Sequence, residues 1–440
     1  MSHPIVNTRS WLIALLLAAL ALRLGWCFSR AVDEAAMARS LPDQYEYLQA
    51  GRSWLKGLGF SFFDRRFEQR VYAFRTPGYP LFVAACAGNV RAIQVGQCII
   101  DASTVLAVFM LARRWVDQRA SLLAAAVVAA NPFLVFFCSL VLSETLFVAL
   151  LIWGMALLAR SKFFRPFGAL DSPDELPQGL RPGLLSFAAS RLSGWSAIFG
   201  AILLALSVLV RPSAMLLPIV MTGGAIAANG GTIRRMAFGA VAAAGVTVIV
   251  LLPWALRNRT VLHEWVWTST NTGFTLYDGF NPAADGSSDQ SFVKAMPELG
   301  TMSEIGRSKF LSQRALIWLR QNPAEGLMLA ATKLQRMWSP IPLSDEYGGR
   351  RLYVLAAGAY AVPLFVLAIA GLLTRKLSAT AKVFLLLPAI YFSVSHALSV
   401  GSLRYRIPAE PPLAILAAAV VSRRVSIHDA QAKLPAPSEM

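Results

Sequence analysis

Two acidic residues, each at a border between apolar and polar sequence, are suited to proton chemistry. Asp43 follows the first apolar segment and has Tyr45 and Tyr47 as near neighbours, while Glu144 stands at the mouth of a later apolar segment. A carboxylate beside an apolar surface is partly desolvated, which raises its pKa and makes it a better general base. We therefore expect Asp43 to accept a proton from a substrate; the alternative is a solvated loop acid.

Glu144 is the second acid expected to take part in catalysis. An acid at the end of a membrane-length apolar segment is costly to bury and usually has a role. Glu144 can position a substrate hydroxyl, bind a metal ion or pair with an arginine, and a purely structural ion pair is the alternative. Asp101 lies deeper in another apolar segment, and we expect it to pair with a neighbouring helix.

Four arginines form the second group of candidates, because they lie away from the basic loops that hold most of the positive charge. They are Arg75, Arg211, Arg404 and Arg406. A guanidinium group makes two parallel hydrogen bonds to a phosphate. If the four converge at one face of the protein, they form a binding site for an anionic head group. Taken singly, each also fits a lipid anchor or the partner of an acid.

Membrane helices are the elements that must position these residues. The chain has 440 residues, of which 56% are hydrophobic and 15% charged, and its mean hydropathy is +0.54. Soluble proteins carry nearer about 25% charged residues, and several apolar runs reach the roughly 18 residues that cross a bilayer. The fold class is therefore an all-α polytopic membrane protein. The net charge of +17 fits basic cytoplasmic loops and not a nucleic-acid surface, which would need basic patches interleaved with aromatic residues.

Apolar runs separated by basic loops predict about ten transmembrane helices, with both ends of the chain in the cytoplasm. The predicted spans are Trp11–Phe28, which is a retained anchor, and Ala92–Ala112, Ser121–Phe137, Val141–Leu158, Trp195–Val210, Ala214–Ala228, Ala237–Trp254, Leu352–Leu373, Val383–Val400 and Ile407–Val421. Two longer polar loops, residues 29–90 and 255–350, then lie outside and carry short surface helices. Residues 1–425 form a single membrane domain, and residues 426–440 form a cytoplasmic tail.

Hydrophobic spacing within the polar segments predicts their local structure. Short helices that lie on the membrane surface are expected at Tyr45–Leu58, Tyr79–Ala87 and Glu325–Trp338. Trp265–Ser269 is expected to form a short strand. Ser161–Gly194, on the cytoplasmic side, contains four prolines and is expected to have little regular structure.

The cysteine and histidine residues indicate no metal site. No pair of the four cysteines has metal-ligand spacing, and the four histidines are scattered. Cys98 and Cys138 lie in apolar runs and are expected to fill the core. Cys27 and Cys86 lie near the outer surface and are candidates for a disulfide. No cofactor is assigned, and a divalent cation stays open.

The order of several short motifs resembles the C-type membrane glycosyltransferases that use polyprenyl-phosphate sugars. Within this superfamily the chain is similar to the bacterial relatives of protein O-mannosyltransferases, which include the lipid A aminoarabinose transferase and transferases that add galacturonate to lipopolysaccharide. The motifs are Asp43-(x)3-Tyr47, Arg75-Thr-Pro-Gly-Tyr-Pro-Leu-Phe82, Ser143-Glu-Thr-Leu146, Val210-Arg-Pro-Ser213, Pro253-Trp-(x)2-Arg-Asn258, Ser269-Thr-Asn-Thr-Gly273, Gly279-Phe-Asn-Pro282 and Arg404-Tyr-Arg-Ile-Pro408.

The resemblance implies an enzyme of the bacterial inner membrane whose active site faces the periplasm. It would transfer a hexose or pentose from a polyprenyl-phosphate donor to lipopolysaccharide, another cell-envelope glycan or a protein. In-line attack with phosphate as the leaving group implies inversion at the anomeric carbon. The rival interpretation is a transporter or flippase of lipid-linked sugars, which would use the same arginines for the head group but would not need Asp43.

The resemblance also assigns roles to the candidate residues. The acid at the Asp43 position would be the general base, and the cations at the Arg75 and Arg211 positions would hold the lipid phosphate. Many members of the group carry an acidic pair in the first loop, whereas Gln44 follows Asp43 here, so the nearby Asp33-Glu34 pair is the second choice for the base. The expected catalytic residues are Asp43 and Glu144, and the expected substrate-binding residues are Tyr47, Arg75, Arg211, Arg404 and Arg406.

Overall fold

The computed structural model describes residues 8–160, 182–343 and 348–423, with the backbone alone at residues 38, 40 and 182–194. Helices dominate this part of the chain, and its only sheet is the antiparallel pair β1 (Phe62–Asp64) and β2 (Gln69–Val71). The helices are α1 (Thr8–Phe28), α2 (Glu34–Ser40), α3 (Pro42–Leu55), α4 (Gly78–Ala85), α5 (Val90–Ala112), α6 (Gln118–Ala129), α7 (Pro132–Phe137), α8 (Glu144–Arg160), α9 (Pro182–Val210), α10 (Leu217–Ala228), α11 (Ile233–Leu262), α12 (Thr272–Gly279), α13 (Phe292–Ala295), α14 (Glu304–Gln321), α15 (Pro323–Trp338), α16 (Arg351–Leu373), α17 (Ala379–Ala397) and α18 (Glu410–Ala419). Short 3₁₀ turns lie at Pro212–Ala214, Pro297–Thr301, Leu403–Tyr405 and Ile407–Ala409.

Five of these helices, α1, α5, α11, α16 and α17, are long and apolar enough to cross a bilayer. Three other predicted spans are shorter apolar helices, in α6, in the Trp195–Val210 part of α9 and in the Pro212–Ala228 region that contains α10. These apolar helices indicate a multi-pass membrane protein. The predicted number of ten spans is not confirmed.

Polar residues and prolines interrupt the apolar helices at two places. Asn131 ends the run of α6 and begins α7, because its side chain accepts hydrogen bonds from the backbone N–H groups of Phe133 and Leu134. Arg211 and Pro212 separate α9 from α10. A proline inside a helix removes a backbone donor and clashes with the preceding turn. The second interruption falls between the predicted spans Trp195–Val210 and Ala214–Ala228, and both interruptions bring polar side chains into the helix bundle.

Helix α8 lies at the centre of the bundle, between α5 and α9. Glycines allow α8 and α9 to approach closely, because a Cβ on Gly154 would lie 2.8 Å from Cγ of Leu204, and one on Gly200 would lie 3.0 Å from the carbonyl oxygen of Gly154. Buried apolar side chains cover both of these faces of α8. The first turn of α8, which carries Glu144, is therefore fixed by packing.

The first polar loop folds into a compact layer on the bundle. Helices α3 and α4 confirm that helices form at the predicted segments Tyr45–Leu58 and Tyr79–Ala87, and their place on the membrane surface stays a prediction. The β1–β2 hairpin between them was not predicted. Phe62 of β1 and Val71 of β2 pair across the hairpin and pack with Ala50 and Phe74. The hairpin thus rests on α3 through an apolar contact and positions the chain that follows it.

The second polar loop packs against the first. Its helices α12 and α14 enclose a small core of their own that includes Phe274 and Leu311. The carboxylate of Glu304, in the first turn of α14, accepts hydrogen bonds from the backbone N–H groups of Tyr72 (2.7 Å) and Ala73 (3.0 Å). Because these two residues come just before Arg75, the second loop helps to position the first.

Two predictions for the second loop have opposite outcomes. Helix α15 confirms the amphipathic helix predicted at Glu325–Trp338. The strand predicted at Trp265–Ser269 is wrong, since this segment is irregular. Two of its carbonyl groups accept hydrogen bonds from side chains of α11. Trp254 donates to the carbonyl of Thr268, and Asn258 donates to the carbonyl of Val266.

Buried polar contacts connect the membrane helices. Arg23 of α1 forms an ion pair with Asp101 of α5, and neither side chain is exposed, which confirms the expected pairing of Asp101 with another helix. The four cysteines are free thiols, and Cys27 lies against Cys98, at an Sγ–Sγ distance of 3.5 Å. The disulfide suggested between Cys27 and Cys86 is therefore wrong.

The prediction of little regular structure at Ser161–Gly194 is untested for the first part of the segment and wrong for the second. Residues 161–181 lie outside the described residues, as does the predicted tail at 426–440. From Pro182 onward the backbone is helical, as the first part of α9, so the prediction is wrong there. Pro182 is the last of the four prolines of this segment, and a proline is tolerated in the first turn of a helix.

Candidate active site

Helix α3 presents three candidate side chains on one face. Asp43, Glu46 and Tyr47 are three and four positions apart, and residues at this spacing share one side of a helix. Glu46 and Tyr47 are buried, while 26% of the Asp43 side chain is exposed. The backbone N–H of Val141 donates to Oε1 of Gln44 at 2.9 Å, which attaches α3 to the segment that leads into α8. The acidic face of α3 is therefore held near Glu144.

Arg75 contacts both acids of that face. Its Nη2 forms a short ion pair with Oδ1 of Asp43, its Nε donates to Oε2 of Glu46 at 2.6 Å, and its guanidinium carbon lies 5.0 Å from the ring centroid of Tyr47. The turn that follows Arg75 packs tightly on the end of α9, because a Cβ on Gly78 would lie 2.7 Å from the carbonyl oxygen of Leu209. Arg75 is thus positioned from both sides.

Glu144 and Asp43 are joined through Arg404, which comes from a distant part of the chain. Nη2 of Arg404 donates to Oδ2 of Asp43 at 3.0 Å, and its Nε lies 2.9 Å from Oε1 of Glu144. Nη2 of Arg211 donates to the same Oε1 at 2.9 Å. Glu144 is fully buried, and its other oxygen, Oε2, is buried without a hydrogen-bond partner. One network therefore contains Asp43, Glu144 and three arginines.

The arginines lower the proton affinity of Asp43. Partial burial acts to raise the pKa of Asp43, but the positive charges of Arg75 and Arg404 outweigh burial, and the pKa lies below its usual range. The expectation that desolvation makes Asp43 more basic is therefore wrong for this arrangement. Burial does dominate at Glu46, where it raises the pKa despite Arg75 and Arg66. Two acids on the same helix face thus have opposite shifts.

Aromatic and polar side chains enclose the network. The guanidinium of Arg211 lies 5.6 Å from the ring centroids of Phe147 and Tyr405, and the ring of Tyr405 stacks on His396 with centroids 3.8 Å apart. The hydroxyl of Tyr47 donates to Oγ of Ser143 at 3.4 Å. Tyr47 therefore lies beside the network, and its role in substrate binding stays a prediction.

Several residues of this network were not predicted. Glu46 could have been found from its position three residues after Asp43 on the same helix. Arg66 follows from no sequence signal, since it reaches Glu46 (2.8 Å) and Asp64 (2.7 Å) only because the hairpin folds back on α3. His396 and Tyr405 likewise come together only through the packing of α17.

Arg406 does not join the network, although only one residue separates it from Arg404. Its side chain is fully buried, its Nε donates to Oε1 of Glu410 at 2.8 Å, and its Nη1 donates to the carbonyl of Ser339. Asn131 completes this second cluster by donating to Oε2 of Glu410 at 2.7 Å. The structure thus gives Arg406 a place between helices, and the predicted role in substrate binding is not supported.

The second choice for the base also has other contacts. The side chain of Asp33 caps α2 by accepting hydrogen bonds from the backbone N–H groups of Ala35 and Ala36. Glu34 forms two hydrogen bonds of 2.7 Å with Arg52. Neither residue contacts Asp43 or the arginines of the network, so of the two choices for the base only Asp43 lies at this site.

Each acid of the site already contacts an arginine. Within residues 8–160, 182–343 and 348–423, no group of three His, Cys, Asp or Glu residues is arranged to hold a metal ion. A divalent cation at Asp43 would have to displace a guanidinium from the carboxylate, whereas Oε2 of Glu144 has no hydrogen-bond partner and leaves one ligand position. The donor set as arranged is therefore suited to an anion that binds the arginines.

No protein-family profile matches the chain, and no curated protein sequence matches it significantly. Solved structures do match its fold. The archaeal oligosaccharyltransferase AglB from Archaeoglobus fulgidus, in complex with an inhibitory peptide and a dolichol-phosphate, aligns over 94% of this chain with a TM-score of 0.55 and 12% identity. The apo form of the Archaeoglobus fulgidus oligosaccharyltransferase aligns over 94% with a TM-score of 0.54 and 14% identity.

The chain spans about half the length of these archaeal proteins, 50% in both cases. ArnT from Cupriavidus metallidurans bound to undecaprenyl phosphate aligns over 94% of this chain and 78% of its own, with 16% identity and a TM-score of 0.40, which is too low to establish a shared fold. The network of acids and arginines therefore lies in a fold that the chain shares with a solved enzyme. The chain has the fold of the Archaeoglobus fulgidus oligosaccharyltransferase.

Proposed function

We propose that this protein is a glycosyltransferase that moves a sugar from a polyprenyl-phosphate donor to an acceptor outside the cytoplasm. The observation that carries the proposal is the convergence of Arg75, Arg211 and Arg404 on one pair of acids, Asp43 and Glu144. A dolichol-phosphate is bound in one of the archaeal structures that share the fold. A lipid-linked phosphate is accordingly the ligand class that we assign to the arginines.

The donor phosphate replaces the carboxylates as the partner of the guanidinium groups. Asp43 contacts Arg75 and Arg404 through separate oxygens, so phosphate oxygens that bind these arginines release its lone pairs. The freed carboxylate then accepts a hydrogen bond from the acceptor hydroxyl. Glu144 keeps Arg211 and Arg404 oriented, because its single bonded oxygen contacts both.

The chemical step is an in-line displacement at the anomeric carbon. The acceptor oxygen forms a bond to the anomeric carbon while the bond from that carbon to the phosphate oxygen breaks. The hydroxyl proton passes to Asp43, and the electron pair of the broken bond stays on the phosphate. The arginines stabilise the negative charge that grows there, so no acid is needed to protonate the leaving group. The anomeric configuration is inverted.

The experiment compares purified wild-type protein with an Asp43→Asn variant in nanodiscs, using a radiolabelled polyprenyl-monophosphate sugar and a detergent extract of the cell envelope as acceptor. We expect the variant to bind the donor and to lose transfer by about 100-fold or more. Asp33→Asn is the matched control, because it removes a carboxylate from the same loop without touching the network, and it should retain activity.

Two outcomes contradict the proposal. Donor movement across a sealed membrane without any transfer, unaffected by Asp43→Asn, would favour a lipid-linked sugar transporter. Equal transfer from a nucleotide sugar would contradict the assignment of a lipid-linked phosphate as the donor group. The sugar itself and the product anomer are read from the same reaction by nuclear magnetic resonance, and retention of configuration would contradict the single-displacement step.

A further inference from the structure

A cavity of about 410 Å³ lies between α2, α3 and the turn of the β1–β2 hairpin, and the reaction described above does not use it. Sites for small ligands are commonly clefts of ~300–1,000 Å³. The side chains that give the cavity its chemical character are Met37, Arg39, Gln44, Tyr45, Gln49 and Arg65. It therefore has the size of a sugar-binding site and a mixed lining of aromatic, amide and cationic groups.

The cavity has an excess of positive charge. The guanidinium of Arg65 lies 4.7 Å from the ring centroid of Tyr45, and both Arg39 and Arg65 are exposed. Neither of these arginines is within ion-pair distance of a carboxylate in the part of the chain that the structure describes. The acid of the lining, Glu34, is already paired with Arg52. An anionic ligand would thus meet two uncompensated cations.

The position of the cavity relates it to the active site. Successive residues of an α-helix are about 100° apart, so Tyr45 and Gln49 lie on the side of α3 opposite to Asp43. Two arginines that are adjacent in the sequence contact opposite sides of α3. Arg65 lies over Tyr45 on the side of the cavity, while Arg66 contacts Glu46 at 2.8 Å on the side of Asp43. A ligand in the cavity is therefore about one helix diameter, roughly 10 Å, from the proposed base.

We propose that this cavity binds an acidic sugar residue of the acceptor, separate from the sugar whose hydroxyl reacts at Asp43. The ring of Tyr45 offers a flat apolar face for the C–H groups of a sugar, the amide of Gln49 offers hydrogen bonds to its hydroxyls, and Arg39 and Arg65 bind its carboxylate or phosphate. The proposal rests on the proposed transferase function. It narrows the acceptor to an acidic glycan of at least two sugar units.

The test measures binding alone, so that it is independent of donor and of catalysis. The full chain is placed in phosphatidylcholine nanodiscs and titrated with an α-1,4-linked galacturonate dimer, and in parallel with the uncharged galactose dimer of the same linkage. We expect the acidic dimer to bind more tightly than the uncharged one. The double variant with Arg39→Ala and Arg65→Ala should bind the acidic dimer about 10-fold more weakly or worse, as expected for the loss of charged hydrogen bonds.

Two control variants separate this site from its surroundings. Arg314→Ala removes an arginine that lies 4.9 Å from the ring of Phe310 in the second loop, which is the same kind of contact away from the cavity, and it should bind the acidic dimer as the wild type does. Lys309→Ala, which removes an exposed cation from the second loop, should also bind it normally. If the protein fails to transfer sugar but shows this binding pattern, the proposed function is contradicted, while the cavity is still a binding site for an acidic sugar.

Three results would overturn the inference. They are the absence of binding by the acidic dimer, equal binding of the two dimers, and unchanged binding in the arginine double variant. A further arm replaces part of the phosphatidylcholine with phosphatidylglycerol. If this anionic lipid displaces the acidic dimer through Arg39 and Arg65, the occupant is a lipid head group and the acceptor assignment is wrong.

Discussion

Nη2 of Arg404 lies 3.0 Å from Oδ2 of Asp43, although the two residues are 361 positions apart in the sequence. The same guanidinium reaches Glu144 through its Nε, so Arg404 is the connection between the acid of the first loop and the acid of the membrane bundle. The site therefore depends on contacts between the beginning and the end of the chain.

Replacement of Arg404 tests this connection. Arg404→Ala leaves Asp43 with one arginine instead of two, and it removes one of the two cations that contact Glu144. We expect transfer to fall by about 10-fold to 150-fold, the range for losing one charged contact of roughly 1.5–3 kcal/mol. Arg404→Lys should restore only part of the activity, because one ammonium nitrogen does not reproduce the planar fork whose separate nitrogens contact the two acids. The measurement is kcat/KM with the purified lipid-linked donor, and full rescue by lysine would contradict the bridging geometry.

Arg211 and Arg75 are expected to act on the donor and not on the acceptor. Arg75→Ala and Arg211→Ala should each weaken use of a polyprenyl-monophosphate sugar by roughly 1.5–3 kcal/mol, with a higher KM for the donor and little change in the KM for the acceptor. Steady-state kinetics with each substrate varied in turn gives the two values. Indifference of donor kinetics to both substitutions would exclude the lipid phosphate as the ligand of these arginines.

The pH dependence of activity follows from the lowered pKa of Asp43. A carboxyl group whose pKa is lowered in the folded protein stays ionised, and available as a base, until the pH falls through that lowered value. The ordinary pKa of aspartate is about 3.9, so kcat/KM should show no acidic limb due to Asp43 between about pH 7 and pH 4. A limb with a midpoint near pH 6 would indicate a base with a raised pKa, and Glu46, whose pKa is raised by burial, would then be the first alternative.

Arg406 is expected to contribute to stability and not to substrate binding. Removing one partner of a buried ion pair leaves a buried charge without compensation, which costs roughly 3–5 kcal/mol. Arg406→Met should therefore lower the thermal unfolding temperature strongly, and Glu410→Gln added to it should recover part of the loss. The readout is thermal unfolding in detergent together with the donor KM of the folded fraction. A changed donor KM with normal stability would restore Arg406 to the binding site.

The side of the membrane can be tested at positions far from the site. In a Cys86→Ser background, which removes the thiol that is not fully buried, an impermeant thiol reagent added to intact cells should label Gln313→Cys in the second loop. It should not label Ala379→Cys, at the start of α17, on the side where the basic residues Arg375, Lys376 and Lys382 cluster. Labelling of the second position from outside would reverse the orientation and with it the location of the proposed reaction.

Sequence alone identified most members of the site but not their partners. Asp43, Glu144, Arg75, Arg211 and Arg404 could be found because a charged residue at the border of an apolar segment needs a reason to be there. Which acid pairs with which arginine depends on how the helices pack, and local spacing carries no information on this. The lowered pKa of Asp43 was missed for that reason, since desolvation could be read from the sequence but the two opposing charges could not.

In the Arg404-Tyr-Arg406 motif, the sequence likewise did not predict the partner of each arginine, although the two are only two positions apart. Both arginines looked equivalent in the sequence, yet consecutive 3₁₀ turns at Leu403–Tyr405 and Ile407–Ala409 direct them to different partners. The number of membrane-spanning helices was also difficult to predict from the sequence. Hydropathy located the apolar segments and the break at Arg211, but it could not tell a full spanning helix from a short helix that is buried within the bundle.

The buried pair of Arg23 and Asp101 has a consequence for how this protein enters the membrane during synthesis. A lone arginine costs up to about 2.5–3.5 kcal/mol on insertion by the translocon, the value at the centre of a membrane helix. Arg23 lies five residues before the end of α1, and the acid that neutralises it is translated 78 residues later. Helix α1 is therefore expected to wait beside the translocon until α5 has been made, and the two helices would pass into the lipid together. A ribosome stalled between them would leave an N-terminal helix poorly held by the bilayer and open to membrane proteases.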